Sequence, residues 1–259
     1  MAEVWDAEIR RACNELHIDG AEREQATLFV EKMRTRYTGE REESIHIALQ
    51  DVANGVGPFL APSNEKVKAP VFDLPIVVTC KQECSYCYAK QAELSYFPVR
   101  VSRLRNLLWT LSPKFPDAFH RVLDRRRNKY VRLHSSGDFY SGAYFDMMVR
   151  FAWDRTDKKF WAYTQFDDFN GVYDAADVPD NFTLIHSLYG VRKERPAQEE
   201  IDFYLDKGFT RVAWVADGIH VWGDCPAVAD HKIKCVRHCT RCIDSNVKVV
   251  GFTRHGRYV

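Results

Sequence analysis

Three thiols share one short loop, Thr79-Cys80-Lys81-Gln82-Glu83-Cys84-Ser85-Tyr86-Cys87-Tyr88-Ala89, with C-x3-C-x2-C spacing. Three cysteines can hold three corners of a cubic [4Fe-4S] cluster and leave one iron without a protein ligand, whereas closed clusters take four. An open corner points to a role beyond storing electrons. The competing reading is a structural zinc loop completed by a ligand from elsewhere, although zinc favours four donors and C-x2-C or C-x4-C pairs. A second group, Cys225, Cys235, Cys239 and Cys242, is spaced C-x9-C-x3-C-x2-C. Four thiolates satisfy either a second, closed [4Fe-4S] cluster or a tetrahedral zinc. Cys235–Cys242 repeats the first spacing and is the alternative seat of the open cluster. However, Pro226–Lys234 opens with a proline and breaks its apolar residues with charge, so it does not read as a strand feeding that loop. Val71–Thr79 does.

A third segment, Arg132-Leu133-His134-Ser135-Ser136-Gly137-Asp138-Phe139-Tyr140-Ser141, follows a short apolar run. Ser136-Gly137-Asp138 sets a small residue beside a glycine that permits close backbone approach and a carboxylate suited to an ammonium group. The plainer reading is a strand-to-helix turn in which Asp138 or Ser141 caps a helix starting near Ala143. His134, beside a strand, reads as a satisfied core residue. Phe160–Thr164 alternates, so one face is available to line an interior, with core packing as the default for such residues.

Cys80, Cys84, Tyr86 and Cys87 match C-x3-C-x-aromatic-C, and the sequence resembles the radical S-adenosylmethionine superfamily at this point. More narrowly, the chain resembles the phage gene product 88 domain family in four segments: Leu74–Cys80, Cys87–Ala89, His134–Ser141 and Phe160–Thr164. That likeness covers about residues 70–245 and leaves the N-terminal helices outside. The superfamily resemblance implies an enzyme in which an external one-electron reductant reduces the open cluster. Cleavage of S-adenosylmethionine by that cluster then gives a 5′-deoxyadenosyl radical that abstracts hydrogen from a substrate, for which the phage resemblance suggests a nucleic acid or nucleotide. It also implies that Ser136, Gly137 and Asp138 stand where a Gly-Gly-Glu segment binds the cofactor's amino group, with Tyr86 beside the cofactor. Ser-Gly-Asp departs from that pattern. An auxiliary cluster on Cys225, Cys235, Cys239 and Cys242 is similar to those that follow the barrel in many such enzymes.

The elements that must position these residues come in two textures. Residues 1–60 read as three helices, over about 1–17, 21–37 and 42–53, each followed by a glycine. Gly55–Pro70 reads as a linker. Beyond it, strands at Val71–Thr79, Tyr130–His134, Lys159–Thr164, Phe182–Leu188, Arg211–Val215 and Val247–Phe252 alternate with helices over about 99–112, 115–128, Ala143–Arg155 and Ala197–Lys207. Such alternation predicts an α/β fold with a parallel sheet. With fewer than the eight units of a full barrel, the expected architecture is a partial, open parallel α/β barrel. It carries an N-terminal helical extension (1–60), a barrel region (70–220) and a C-terminal cysteine-rich metal segment (221–259).

Charge is uneven within a net of +1. Residues 1–60 hold twelve acids against seven Lys or Arg, while residues 99–132 hold ten Lys or Arg against Asp117 and Asp124. The basic stretch supports two readings: a nucleic-acid-binding face, or a helical surface offset by the acidic N-terminal helices. The rival function is accordingly a non-enzymatic nucleic-acid-binding protein with structural iron–sulfur or zinc sites. No apolar run approaches the length of a membrane helix. The N-terminus lacks the basic start and apolar core of a secretory signal. The expected compartment is therefore cytoplasmic, where clustered cysteines bind metal or do redox chemistry more often than they pair.

Overall fold

The computed structural model describes residues 2–62, 66–81, 84–166, 178–217, 225–230 and 232–253. Three helices open the chain: α1 (Ala2–Leu16), α2 (Gly20–Arg36) and α3 (Glu43–Ala53), with a 3-10 turn at Gly39–Arg41. Their apolar residues recur at helical spacing and are buried: Trp5, Ile9, Ala12 and Leu16 on α1, Ala26, Phe29, Val30 and Met33 on α2, and Ile45, Ala48, Leu49 and Val52 on α3. They share one hydrophobic core with the helices and strands that follow. At about 1.5–3 kcal/mol for each fully buried large side chain, that shared core is what holds the N-terminal helices in place. The proline- and glycine-rich stretch after α3 is strapped down as well. Trp109 Nε1 donates to the Val56 carbonyl at 2.9 Å, and Asn106 brackets Phe59 by accepting from its N–H and donating to its carbonyl.

Six parallel strands then form one sheet: β1 (Val71–Phe72), β2 (Tyr130–Leu133), β3 (Lys159–Thr164), β4 (Phe182–Arg192), β5 (Arg211–Ala216) and β6 (Val249–Thr253). The strands lie side by side in chain order, so each pairs with its sequence neighbour. Between β1 and β2 stand α4 (Ile76–Thr79), α5 (Tyr88–Ser95), α6 (Phe97–Thr110) and α7 (Phe115–Asp124). Helix α8 (Gly142–Asp154) joins β2 to β3, and α9 (Gln198–Asp206) joins β4 to β5. Two single turns, α10 (Pro226–Ala229) and α11 (Arg241–Asp244), precede β6.

Both faces of the sheet are covered, which is why its strands read as near-continuous apolar runs. Val131, Leu133, Phe160, Ala162, Phe182 and Leu184 enter the core shared with the helices. Val71, Trp161, Ile185 and Ala213 point to the other face, where they pack against Cys235, Val236, Cys242 and Ile243.

The expected elements form with small shifts at their ends, except one. Val71–Thr79 is not a continuous strand. Pairing with β2 covers only Val71 and Phe72, and Ile76–Thr79 closes a single helical turn. Pro75 has no N–H to offer a ladder and its fixed φ of −68° suits the entry to a turn. The turn is then closed by Thr79, whose N–H and hydroxyl both donate to the Pro75 carbonyl, at 3.2 and 2.7 Å.

Candidate functional site

The sheet's second face and the loops after β1, β2 and β3 enclose a cavity of about 640 Å³. Its wall contains all seven clustered cysteines together with Ser136, Gly137 and Asp138. Residues separated by up to 162 positions in sequence, Cys80 to Cys242, thus share one space.

Cys80 follows the α4 turn, and its N–H donates to the Ile76 carbonyl at 3.2 Å. The loop returns through a Cys87 N–H to Cys84 carbonyl bond of 3.1 Å, and α5 begins at once. Gln82 and Glu83 lie outside the described residues. From β3's end, Gln165 Nε2 reaches the Cys84 sulfur at 3.4 Å. Burial, reinforced by the negative charge of Asp138 and the neighbouring Cys87 and Cys84, pushes the Cys80 thiol far above its ordinary range. Burial raises Cys87 as well. A bound cation reverses this balance, because positive charge favours thiolate.

This loop is braced from behind by a buried ion network. Glu93, on α5 and fully buried, accepts from the Tyr37 hydroxyl, from the Ile76 N–H at 3.1 Å and from Arg103 Nη1 at 2.8 Å. Arg100 Nη1 donates to the carbonyls of Glu93 and Leu94, both at 3.0 Å, while its Nε donates to Ser44 Oγ at 3.1 Å. The network ties the residue after α2, the start of α3 and the turn before Cys80 to the helix after Cys87.

Ser136-Gly137-Asp138 turns at the end of β2. The Ser136 N–H donates to Asp73 Oδ1 at 2.9 Å and its hydroxyl to the Leu74 carbonyl at 3.1 Å. Gly137 has φ +77°, and a Cβ there would sit 2.7 Å from both Leu74 Cβ and the Leu74 carbonyl oxygen and 2.8 Å from Thr79 Oγ1. Besides lining the cavity, this glycine lets the backbone leading to Cys80 approach closely, a requirement independent of any ligand. Asp138 Oδ1 accepts from the Phe139 N–H at 2.7 Å and from the Thr164 hydroxyl, and Oδ2 from the Gln165 N–H at 2.8 Å. Burial raises its carboxyl to about 6, even against those three donors. It is Ser141, not Asp138, that caps α8, accepting from the Tyr144 N–H at 3.2 Å. His134, at φ +57°, lines the cavity and shares a 2.9 Å bond between Nε2 and the Tyr144 hydroxyl. Its Nδ1 is buried with no hydrogen-bond partner among the described residues, and burial lowers its pKa to about 3. It is half-satisfied, not the fully satisfied core histidine expected.

The second cysteine group packs against the sheet's cavity face. Cys225 donates its N–H to the Gly251 carbonyl at 3.2 Å, and Cys235 donates to the Lys66 carbonyl at 2.9 Å. The Val236 N–H reaches the Cys239 carbonyl at 2.8 Å. Burial, partly offset by the Tyr163 hydroxyl and increased by Cys225, Cys235 and Cys239, pushes Cys242 up to about 11. Thr183 Oγ1 holds the Ile243 carbonyl at 3.2 Å, and Asp244 is held by Tyr130 at 2.7 Å and by Lys159. Residues 218–224, His231 and 254–259 of this C-terminal segment lie outside the described residues. Among the described residues no three Cys, His, Asp or Glu side chains converge tightly enough to hold a single metal ion.

The basic stretch 99–132 does not form one face. Arg100 and Arg103 are buried, Arg105 pairs with Asp51 at 2.6 Å, Lys114 donates to the Glu15 carbonyl at 2.6 Å, and Arg126 donates to the Leu60 carbonyl at 2.8 Å. Its partners include Ser44, Asp51 and Glu15 of the N-terminal helices. Arg121, Arg125, Arg127 and Lys129 are the exposed remainder.

Three contributors to this site were not singled out in the sequence. Glu93 gave no signal, being one acid on a short helix. Gln165 follows the aromatic strand without a motif. Arg132 did leave a trace: in Tyr130–Leu133 it occupies the face opposite Val131 and Leu133, a cation at an inward position of a strand.

The chain matches the family model described as Gene product 88 over residues 38–257 and belongs to that family. The match begins after α2 and takes in α3, so it reaches farther towards both ends than 70–245. No curated protein and no solved structure matches the chain. Among the described residues no helix is long and apolar enough to cross a membrane.

Proposed function

We propose that this member of the Gene product 88 family is a radical S-adenosylmethionine enzyme whose open [4Fe-4S] cluster is held by Cys80, Cys84 and Cys87. One observation carries the reading: both cysteine groups and Ser136–Asp138 line a single cavity at the C-terminal ends of parallel strands, where α/β folds bind ligands. A sheet that runs in chain order from β1 to β6 is the strand order of a partial barrel, and we assign that architecture. Bound to such a cluster, S-adenosylmethionine supplies, on one-electron reduction, a 5′-deoxyadenosyl radical for hydrogen abstraction from a substrate.

The chain's own residues would do the rest. Asp138, ionised above pH 6 and anchored on three donors, offers its carboxylate to the cofactor's ammonium group. Gln165 orients the Cys84 sulfur, and Tyr86 walls the cofactor side of the loop. Cys225, Cys235, Cys239 and Cys242 hold a second [4Fe-4S] cluster, a reading supported by the C-x3-C-x2-C spacing of Cys235–Cys242, with zinc on the same four thiols as the alternative. The walls exclude water from the reacting centre.

The test is anaerobic reconstitution with iron and sulfide, followed by S-adenosylmethionine and a one-electron reductant. Production of 5′-deoxyadenosine, abolished by Cys84→Ala, supports the reading. Cleavage that survives Cys84→Ala refutes the cluster assignment. Nucleic-acid binding without any cleavage would favour the non-enzymatic alternative.

A further inference from the structure

The cavity wall also carries cations to which neither the cysteines nor the cofactor residues assign a role. Arg36, Lys66, Lys81, Lys90, Arg132 and Arg241 line it, and Asp138 is the one carboxylate in its wall among the described residues. Arg132, half-buried, is the one of these cations that stands on a strand of the sheet. Its backbone is locked in the sheet, in register with Val71 on β1 and Trp161 on β3, with its N–H bonded to the Pro70 carbonyl at 2.9 Å. Its guanidinium lies over the Tyr163 ring, 5.1 Å from the ring centre, a cation–π contact. No carboxylate stands within ion-pair distance of it among the described residues, and its Nε is buried without a hydrogen-bond partner.

Arg132 is half-buried, and a buried Nε–H with no acceptor costs free energy unless something accepts from it. Tyr163 supplies only the face of a ring. Arg132 shares the cavity wall with both cysteine groups, and Tyr88, Asp73 and Cys235 are near enough to act on its charge. Apolar surface from Trp161, Val215 and Val250 completes the surroundings.

We infer that the cavity binds a small substrate through an oxyanion, carboxylate or phosphate, held by the planar fork of Arg132 in the wall it shares with the two cysteine groups. The neighbouring lysines and Arg241 add attraction without geometry, whereas the guanidinium fork sets orientation. The inference deepens the enzyme reading and rests on its cavity, but the binding itself requires no turnover.

The experiment measures thermal stabilisation of the full chain by inorganic phosphate and by acetate, against chloride at matched ionic strength, with metal removed and with metal reconstituted. Either oxyanion should stabilise the parent protein, and the stronger of the two identifies the headgroup. Arg132→Gln should weaken that anion's apparent affinity about tenfold or more, as expected for losing a hydrogen bond to a charged group. Arg132→Lys, which keeps charge but not the fork, should fall between the two and serves if the Gln variant does not fold. Saturating S-adenosylmethionine should leave the anion effect in place; if it abolishes the effect, Arg132 belongs to the cofactor's carboxylate and the substrate assignment fails. Equal anion affinity in parent and both variants also overturns the proposal. So does a loss of bound iron in Arg132→Gln with anion affinity unchanged, which would make Arg132 a counter-ion to the thiolates. Because phosphate binding is read without reductant, absence of 5′-deoxyadenosine would defeat the enzyme reading and leave this result standing.

Discussion

Replacing Gly137 by Ala separates a structural role for the Ser-Gly-Asp turn from a ligand-binding one. Three atoms lie within 2.8 Å of the added methyl, one of them the Leu74 carbonyl oxygen on a backbone that also accepts from Ser136 Oγ. Ordinary contact needs about 3.5–4.0 Å, so both chain segments must move apart by most of an ångström. Overpacking of this kind costs about 1–3 kcal/mol. A residue with Cβ held at φ +77° adds about 1–2 kcal/mol. Together these give roughly 2–5 kcal/mol, which in a chain of this size lowers Tm by about 10 °C at the centre of the range. The assay is thermal unfolding of metal-free Gly137→Ala beside metal-free parent. Because the clash is internal, the loss should appear with no cofactor present. An Ala variant that melts with the parent when metal-free, yet no longer binds S-adenosylmethionine, would refute this reasoning and return the glycine to the ligand.

Glu93→Gln should destabilise the protein by about 3–5 kcal/mol in urea unfolding, because it leaves buried Arg103 without its close carboxylate; Asp73, 3.9 Å away, softens the loss only partly. The same variant should take up less iron at the first site, since Glu93 also fixes the Ile76 N–H before Cys80. His134 has a folded pKa of about 3, below its ordinary 6.5, so between those values the unfolded chain binds a proton that the folded chain refuses. Its contribution to stability should therefore fall as pH drops through 6.5 towards 3, and His134→Gln should flatten that limb of the stability–pH curve. Asp138 acts in the opposite sense: its carboxyl is raised to about 6, so its contribution is present below pH 3.8 and is lost as pH rises through 6. Cys239→Ala should remove the second site's metal while iron at Cys80, Cys84 and Cys87 persists, and the loosened C-terminal segment should lower stability; metal analysis of the variant checks both.

The helices of residues 1–60 and the strands from Tyr130 onward were legible because their apolar residues recur at the right period. The strand ahead of Cys80 was misjudged for a local reason. Six apolar residues around Pro75 look like a buried strand, but the missing N–H stops the ladder and lets a turn form. Likewise, Arg100 and Arg103 look like surface charge until Glu93, seven and ten residues earlier, meets them in the interior, with its backbone carbonyl for Arg100 and its carboxylate for Arg103. Charge counts along a sequence carry no information on such pairing. The two cysteine groups were legible as groups, yet their shared cavity was not. That depends on β6 returning the C-terminal segment across the sheet, through contacts as distant in sequence as Tyr130 with Asp244. The role of Gly137 was hidden for the same reason, since its neighbour Leu74 lies 63 positions away.

The central claim is that the cysteines hold iron–sulfur clusters, the first with an open corner. Its most direct test is iron, sulfide and zinc analysis of the protein purified and reconstituted without oxygen. About eight iron and eight sulfide per chain, falling by about half in Cys84→Ala, is the predicted result for two four-iron clusters. Zinc at about two per chain with no acid-labile sulfide would contradict it.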